Sequence, residues 1–189
     1  MWSPDDQLSQ SAQQKAPIGF FHILENLKTT KRTGWVQFGV PNPESISDHM
    51  YRMGIISFLA PKDLDRDRCI KMSIVHDMAE SLVGDFTPRD DISSEEKHRR
   101  ESETMDLLTK LAGTGDLQMR ELWHEYEQGT TPEALFVKSV DKFELLLQMV
   151  EYERRSNGSL DLSDFLSVLP AITHPKVKEW ADLVIKERN

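Results

Sequence analysis

Two histidines and two aspartates stand where a divalent cation could be held: His49, the adjacent pair His76 and Asp77, and Asp141. Read as a helix, the stretch around residue 76 brings His76, Asp77 and Glu80 toward one point, with Met72, Ala79 and Val83 packing nearby. A buried carboxylate or imidazole is costly unless paired or ligated, and a divalent cation satisfies both kinds of group at once. His49 taken alone fits an ordinary hydrogen-bonded core histidine. It is the company of the other residues that makes it a ligand candidate. Asp141 stands between Val137 and Leu145, one turn to either side, a carboxylate where the pattern is apolar.

Two imidazoles and two carboxylates without a thiolate form a mixed nitrogen and oxygen set. Such a set suits Mn, Fe, Co, Ni or Zn, or a Mg-assisted site, and leaves the metal's identity open. It also implies an exchangeable position where water is bound and its pKa lowered, so hydrolysis is the natural reaction class.

The elements that must position these residues read as helices. Pro17 fits a first turn, and Ile18, Phe21, Leu24 and Leu27 recur at helical spacing up to Thr29-Thr30. A basic loop with Gly and Pro, Lys31 to Pro43, leads to Ser45 or Ser47 as the cap of a helix whose inward face carries Ile46, His49, Met53 and Ile56. A third helix is expected from about Leu64 through Val83, with Gly84 as its left-handed cap and Pro88 beyond. Ser93-Ser94 opens a charged amphipathic helix over 93–112 that ends near Gly113, and further helices are expected at 116–128, 132–156 and 175–187. No stretch reads as a strand and no repeat is present, so the expectation is all-α: a 15-residue flexible tail rich in Gln, Ser and Asp, then one helical domain of non-repetitive topology over 16–189.

Composition bounds the partners. With 189 residues, 38% of them hydrophobic and 29% charged, the chain can bury one sizeable core. A net charge of −9 argues against a nucleic-acid polymer, whose binding depends on Lys and Arg, while a bound cation can still draw a small anion to an acidic protein. One cysteine, Cys69, excludes an internal disulfide and a Cys-x-x-Cys site, and no apolar run approaches the roughly 18 residues of a membrane span. Cytosol or nucleus is the expected home, with no membrane association. The run Lys97-His98-Arg99-Arg100, flanked by Glu95, Glu96, Glu101 and Glu103, reads as a solvated helix face, and His124 as a surface residue or a pocket border.

The order His, His-Asp, Asp across separate helices resembles the HD-domain phosphohydrolases. The string His76-Asp77-Met78-Ala79-Glu80-Ser81-Leu82-Val83-Gly84-Asp85-Phe86-Thr87-Pro88 narrows this, because it resembles the HD-x-x-E-x-x-x-GD-x-x-P signature of the 5'-deoxynucleotidases of that superfamily. Ser45 to Met53 and Arg32-Thr33-Gly34-Trp35 resemble its eukaryotic branch, and the similarity runs from about residue 18 to 155. The resemblance implies that His49, His76, Asp77 and Asp141 bind the metal (Mn, Co, Mg or another transition metal), that Glu80 and Asp85 serve catalysis, and that deoxyribonucleoside 5'-monophosphates are the substrates. It also implies a homodimer, to which the Met- and Leu-rich helix 135–150 could lend apolar surface.

Bacterial relatives carry Arg directly before the matching Trp. Here Gly34 takes that place and Arg32 is nearest. An Arg fork can bind phosphate bidentately and Trp35 can press against sugar or base, so both are substrate-binding candidates. Glu80 and Asp85 could act as general acid and base or hold a second cation. Two rivals share the same ligands: a phosphodiesterase or guanosine-polyphosphate hydrolase, and a non-catalytic binding module whose helices are stapled by metal.

Overall fold

Capping residues mark where the helices of this chain begin and end. The computed structural model describes residues 2–13, 16–87, 89–113 and 118–188. Its α-helices are α1 (Ile18–Thr29), α2 (Thr33–Gln37), α3 (Ile46–Ser57), α4 (Arg66–Val75), α5 (Glu80–Val83), α6 (Ser94–Ala112), α7 (Gln118–Gln128), α8 (Pro132–Arg155) and α9 (Pro175–Arg188). Ser93 accepts from the Glu96 amide to open α6, and Gly113 closes it in the left-handed conformation at φ 73°. Thr131 caps α8 in the same way through the Ala134 amide, with Pro132 in the first turn. At α3, Ser45 accepts from the Asp48 amide while Asp48 accepts from the Ser45 amide at 2.8 Å, a reciprocal cap. Among the described residues β pairing is limited to one antiparallel bridge, Lys31 with Ser45, and the fold is all-α as expected.

The chain packs as two compact units. The first comprises residues up to Met50 together with Val75–His124, and the second Tyr51–Ile74 together with the residues from Glu125 on. In the first, α1, α5 and α6 pack on one another, burying Phe20, Ile23, Leu27, Met105 and Leu108. In the second, α8 packs along α9 and a 3-10 segment, Ser163–Ala171, burying Phe136, Val140, Leu146, Met149 and Val177. Cys69 is fully buried there, and burial together with the acidic Glu133, Asp65 and Glu125 pushes its thiol up to about 12, so it is no nucleophile.

Several expectations are corrected. In α1 the buried face is Gly19, Phe20, Ile23 and Leu27, whereas Ile18 and Phe21 are exposed. The helix carries two overlapping apolar stripes, and packing against α5 and α6 selects between them. The loop 31–43 contains α2, too short for a periodic signal. The helix expected from 64 to 83 is interrupted after Val75, and α5 is a separate short helix. Gly84 adopts φ 86° and ψ 165°, an extended mirror-image conformation open only to glycine rather than the left-handed cap. The 3-10 segment near 163–171 went unanticipated. In the tail, residues 5–7 form a 3-10 turn and Pro4 and Ala12 are buried. Pro88, residues 14–15 and the expected start of α7 at 116–117 lie outside the described residues.

Candidate metal centre

His76 and Asp77 sit in the break between α4 and α5, and the break is what lets them act together. In a regular helix adjacent side chains diverge by about 100° and do not face each other. Here the backbone tightens to three-residue spacing, with the Met78 amide donating to the Val75 carbonyl and the Glu80 amide to the Asp77 carbonyl, each at 3.0 Å. His76 Nε2 then lies 3.1 Å from Asp77 Oδ2. His49, on the first turn of α3, brings its own Nε2 within 3.9 Å of the same oxygen, and the two imidazoles meet edge to face at 5.6 Å between centroids.

One donor atom each from His49, His76 and Asp77 therefore lies within 4.8 Å of the others. Ligands of one ion at about 2.0–2.2 Å stand at most about 4.4 Å apart, so this cluster fits a cation after closing by a few tenths of an ångström. Both histidines are buried. Burial by itself would raise Asp77, but the His76 ring, the Arg32 guanidinium and His49 outweigh it and hold the carboxyl well below the usual carboxylate range. Asp77 is thus kept ionised, the state a metal ligand needs.

Glu80 differs. Burial, and then the negative charges of Asp77 and Asp85, raise it well above an ordinary glutamate, against the pull of Arg32 and Lys97. Its Oε2 is buried with no hydrogen-bond partner, a cost that a proton or a cation would relieve. The short helix carrying it is pinned to α1 by Asn26, whose amide donates to the Ser81 carbonyl at 2.8 Å.

Arg32 and Asp85 face each other across the loop that the sequence left unstructured. The Lys31–Ser45 bridge and the bond from the Arg32 amide to the Glu44 carbonyl hold the backbone there. Arg32 Nη1 reaches both Asp77 Oδ2 and Asp85 Oδ1 at 3.4 Å, while Asp85 Oδ2 accepts from the Thr33 amide at 2.5 Å. The conformation of Gly84 turns the chain so that Asp85 can reach the start of α2. Trp35 is buried at 2% exposure, and its indole N–H donates to Glu44 Oε1 at 2.9 Å.

Asp141 lies in the second unit, on α8. It is buried, and its Oδ2 accepts from the Tyr126 hydroxyl at 3.0 Å and from the Lys142 ammonium at 2.7 Å. His124 is exposed.

Lys97 departs from the solvated face expected for residues 97–100. Arg99 and Arg100 do pair along the surface of α6 with Glu96 and Glu103. Lys97 instead pairs with the buried Glu101 at 3.1 Å. Its partial burial would lower its pKa, but Glu101, Glu80 and Asp77 more than offset this and raise it. The signal was spacing: 97, 101, 105 and 108 form one stripe whose last two members, Met105 and Leu108, are fully buried, and Arg99 and Arg100 lie off it.

A family model described as HD domain matches residues 24–180. The chain belongs to the HD-domain family. This HD-domain protein is 48% identical over 184 residues to the 5'-deoxynucleotidase hdd1 of Schizosaccharomyces pombe, covering 94% of this chain and 93% of that protein. It is 43% identical over 176 residues to the human 5'-deoxynucleotidase HDDC2, with 91% and 86% covered. Among solved structures, the HD domain-containing protein YGK1 superposes with a TM-score of 0.73 at 32% identity, covering 99% of this chain and 97% of that one. A conserved hypothetical protein from Pyrococcus furiosus gives 0.72 at 28% identity, covering 90% and 98%. The HD-domain protein is metal-dependent, and His49, His76 and Asp77 are the candidate ligands that its first unit brings together.

Proposed function

We propose that this HD-domain protein is a 5'-deoxynucleotidase that hydrolyses deoxyribonucleoside 5'-monophosphates to deoxynucleoside and phosphate. The observation that carries the reading is the convergence of His49 and His76 Nε2 on Asp77 Oδ2, with the buried, unbonded Oε2 of Glu80 in the electrostatic reach of Asp77. Mn, Co, Mg or another transition metal fits the two imidazoles and the carboxylate of this cluster. When bound, the cation supplies Lewis acidity and lowers the pKa of water at the site.

The protein's own groups do the rest. Arg32 exchanges its long contacts with Asp77 and Asp85 for the substrate phosphate, and Lys97 adds a second positive charge from α6. Glu80, which keeps its proton to a higher pH than an exposed glutamate, delivers it from Oε2 to the departing 5'-oxygen. Asp85, bonded to the Thr33 amide and Arg32, sets the phosphate-binding turn. Trp35 supports the same turn from inside through Glu44.

We read residues 16–189 as the phosphohydrolase domain of a cytosolic or nuclear homodimer. The outer face of α3 and the residues after it, with Tyr51, Ile55, Phe58 and Leu59 all exposed, supports pairing better than 135–150, most of which is buried. The test of function is phosphate release from dAMP, dTMP and AMP by metal-stripped protein resupplied with Mn, Co or Mg. Release from the deoxynucleotides that disappears in Asp77→Ala is expected. Equal inactivity of both proteins, or cleavage of diesters alone, overturns the reading.

A further inference from the structure

Solvent-exposed ion pairs contribute little to a helix, and α6 carries such pairs from Arg99 and Arg100 to Glu96 and Glu103, partly exposed on both sides. The pair from Lys97 to Glu101 is built differently. Glu101 is buried on the stripe that continues into Met105 and Leu108, and its Oε1 lies 3.1 Å from Lys97 Nζ. A carboxylate on a buried face is costly, so a pair that served the helix alone would sit in solvent, as those of Glu96 and Glu103 do. The same helix packs on α5, the short helix that carries Glu80. Partial burial would lower the Lys97 pKa, but Glu101, then Glu80 and Asp77, outweigh it and keep the ammonium charged. All of these residues belong to the first unit.

The site is short of positive charge. Asp77, Glu80 and Asp85 crowd it, and Arg32 already stands 3.4 Å from both aspartates. A phosphate monoester brings about two more negative charges. An ammonium has three donors, so it can stay on Glu101 with one and offer the others to a phosphoryl oxygen. A lysine without such an anchor spreads over many rotamers, and ordering it would weaken binding. We propose that Glu101 is a positioning residue: from its buried seat on α6 it holds Lys97 toward the Asp77 and Glu80 cluster, where Lys97 joins Arg32 in binding the substrate phosphate. The proposal rests on the deoxynucleotidase reading and deepens it. Glu101 then acts on the reaction through Lys97, which separates it from a residue that merely stabilises α6.

The test uses the full chain supplied with Mn(II) and reads phosphate release from dAMP, inhibition of that release by inorganic phosphate, bound metal and the thermal melt. Glu101→Gln keeps the shape and removes the charge. It should lower kcat/KM about 10-fold and weaken phosphate inhibition, with bound metal and melt near wild type. Lys97→Met alone strands the buried Glu101 charge, so the lysine is read in Lys97→Met/Glu101→Gln, which leaves no unpaired carboxylate. That double variant should lose about 10–100-fold in kcat/KM, the worth of one charge-assisted bond. A double variant within about three-fold of wild type overturns the phosphate-binding role. A Glu101→Gln protein whose melt falls while phosphate inhibits it as it does wild type has lost a structural glutamate, and the positioning role is overturned. Wild type that releases no phosphate from dAMP overturns the deoxynucleotidase reading, and the proposal falls with it.

Discussion

Removing the Arg32 guanidinium should cost transition-state stabilisation out of proportion to its effect on folding. The side chain is 15% exposed, and its Nη1 stands 3.4 Å from both Asp77 and Asp85. Those contacts are longer than the roughly 2.7–2.9 Å of a tight charge-assisted bond, so little is given up when the fork turns to a phosphate. Two charge-assisted bonds to the phosphoryl oxygens are worth about 1.5–3 kcal/mol each. Subtracting the exchanged contacts leaves a loss of about 3–4 kcal/mol in Arg32→Ala, or about 10²–10³-fold in kcat/KM. Arg32→Lys keeps the charge without the fork and should recover part of that loss. Initial rates of phosphate release from dAMP measure both variants, with bound metal quantified in the same samples because Arg32 also acts on Asp77. An Arg32→Ala protein with wild-type metal content and kcat/KM within about three-fold of wild type would refute the phosphate-binding role.

Glu80 makes the metal-free protein sensitive to pH. Its raised folded-state pKa gives stability that is complete below the ordinary glutamate range and is lost as pH rises through the folded value. Glu80→Gln should flatten that decline in urea unfolding of chelator-treated protein, and superimposable stability profiles would contradict it. In the second unit, Arg52 donates to the fully buried Glu144 at 2.7 Å, to Gln148 at 2.8 Å and to Glu151 at 2.9 Å. Arg52→Met strands the Glu144 charge and should cost about 3 kcal/mol, a fall of about 6–12 °C in Tm, with much of it regained in Arg52→Met/Glu144→Met. A single variant that melts as wild type would count against a buried ion pair.

Local chemistry was legible wherever one residue decides one bond. The caps Ser93 and Thr131, the left-handed Gly113 and the first-turn Pro132 place their helix ends within the sequence expectation, because a cap satisfies the backbone of its own helix whatever packs outside. The metal-ligand candidates His49, His76 and Asp77 were legible for a related reason. Buried imidazole and carboxylate on apolar faces are costly, and few arrangements compensate them.

What tertiary structure alone decided is how those groups meet. Residues 64–83 read as one helix, yet the chain tightens at His76 so that two adjacent side chains can share a point that helical geometry would deny them. The choice of stripe in α1, the turn of α2 beneath Arg32, and the direction of Lys97 off a run of surface charge all depend on neighbours far away in sequence. Periodicity reports which residues share a face. Only packing settles which face is inward and which charges end beside one another.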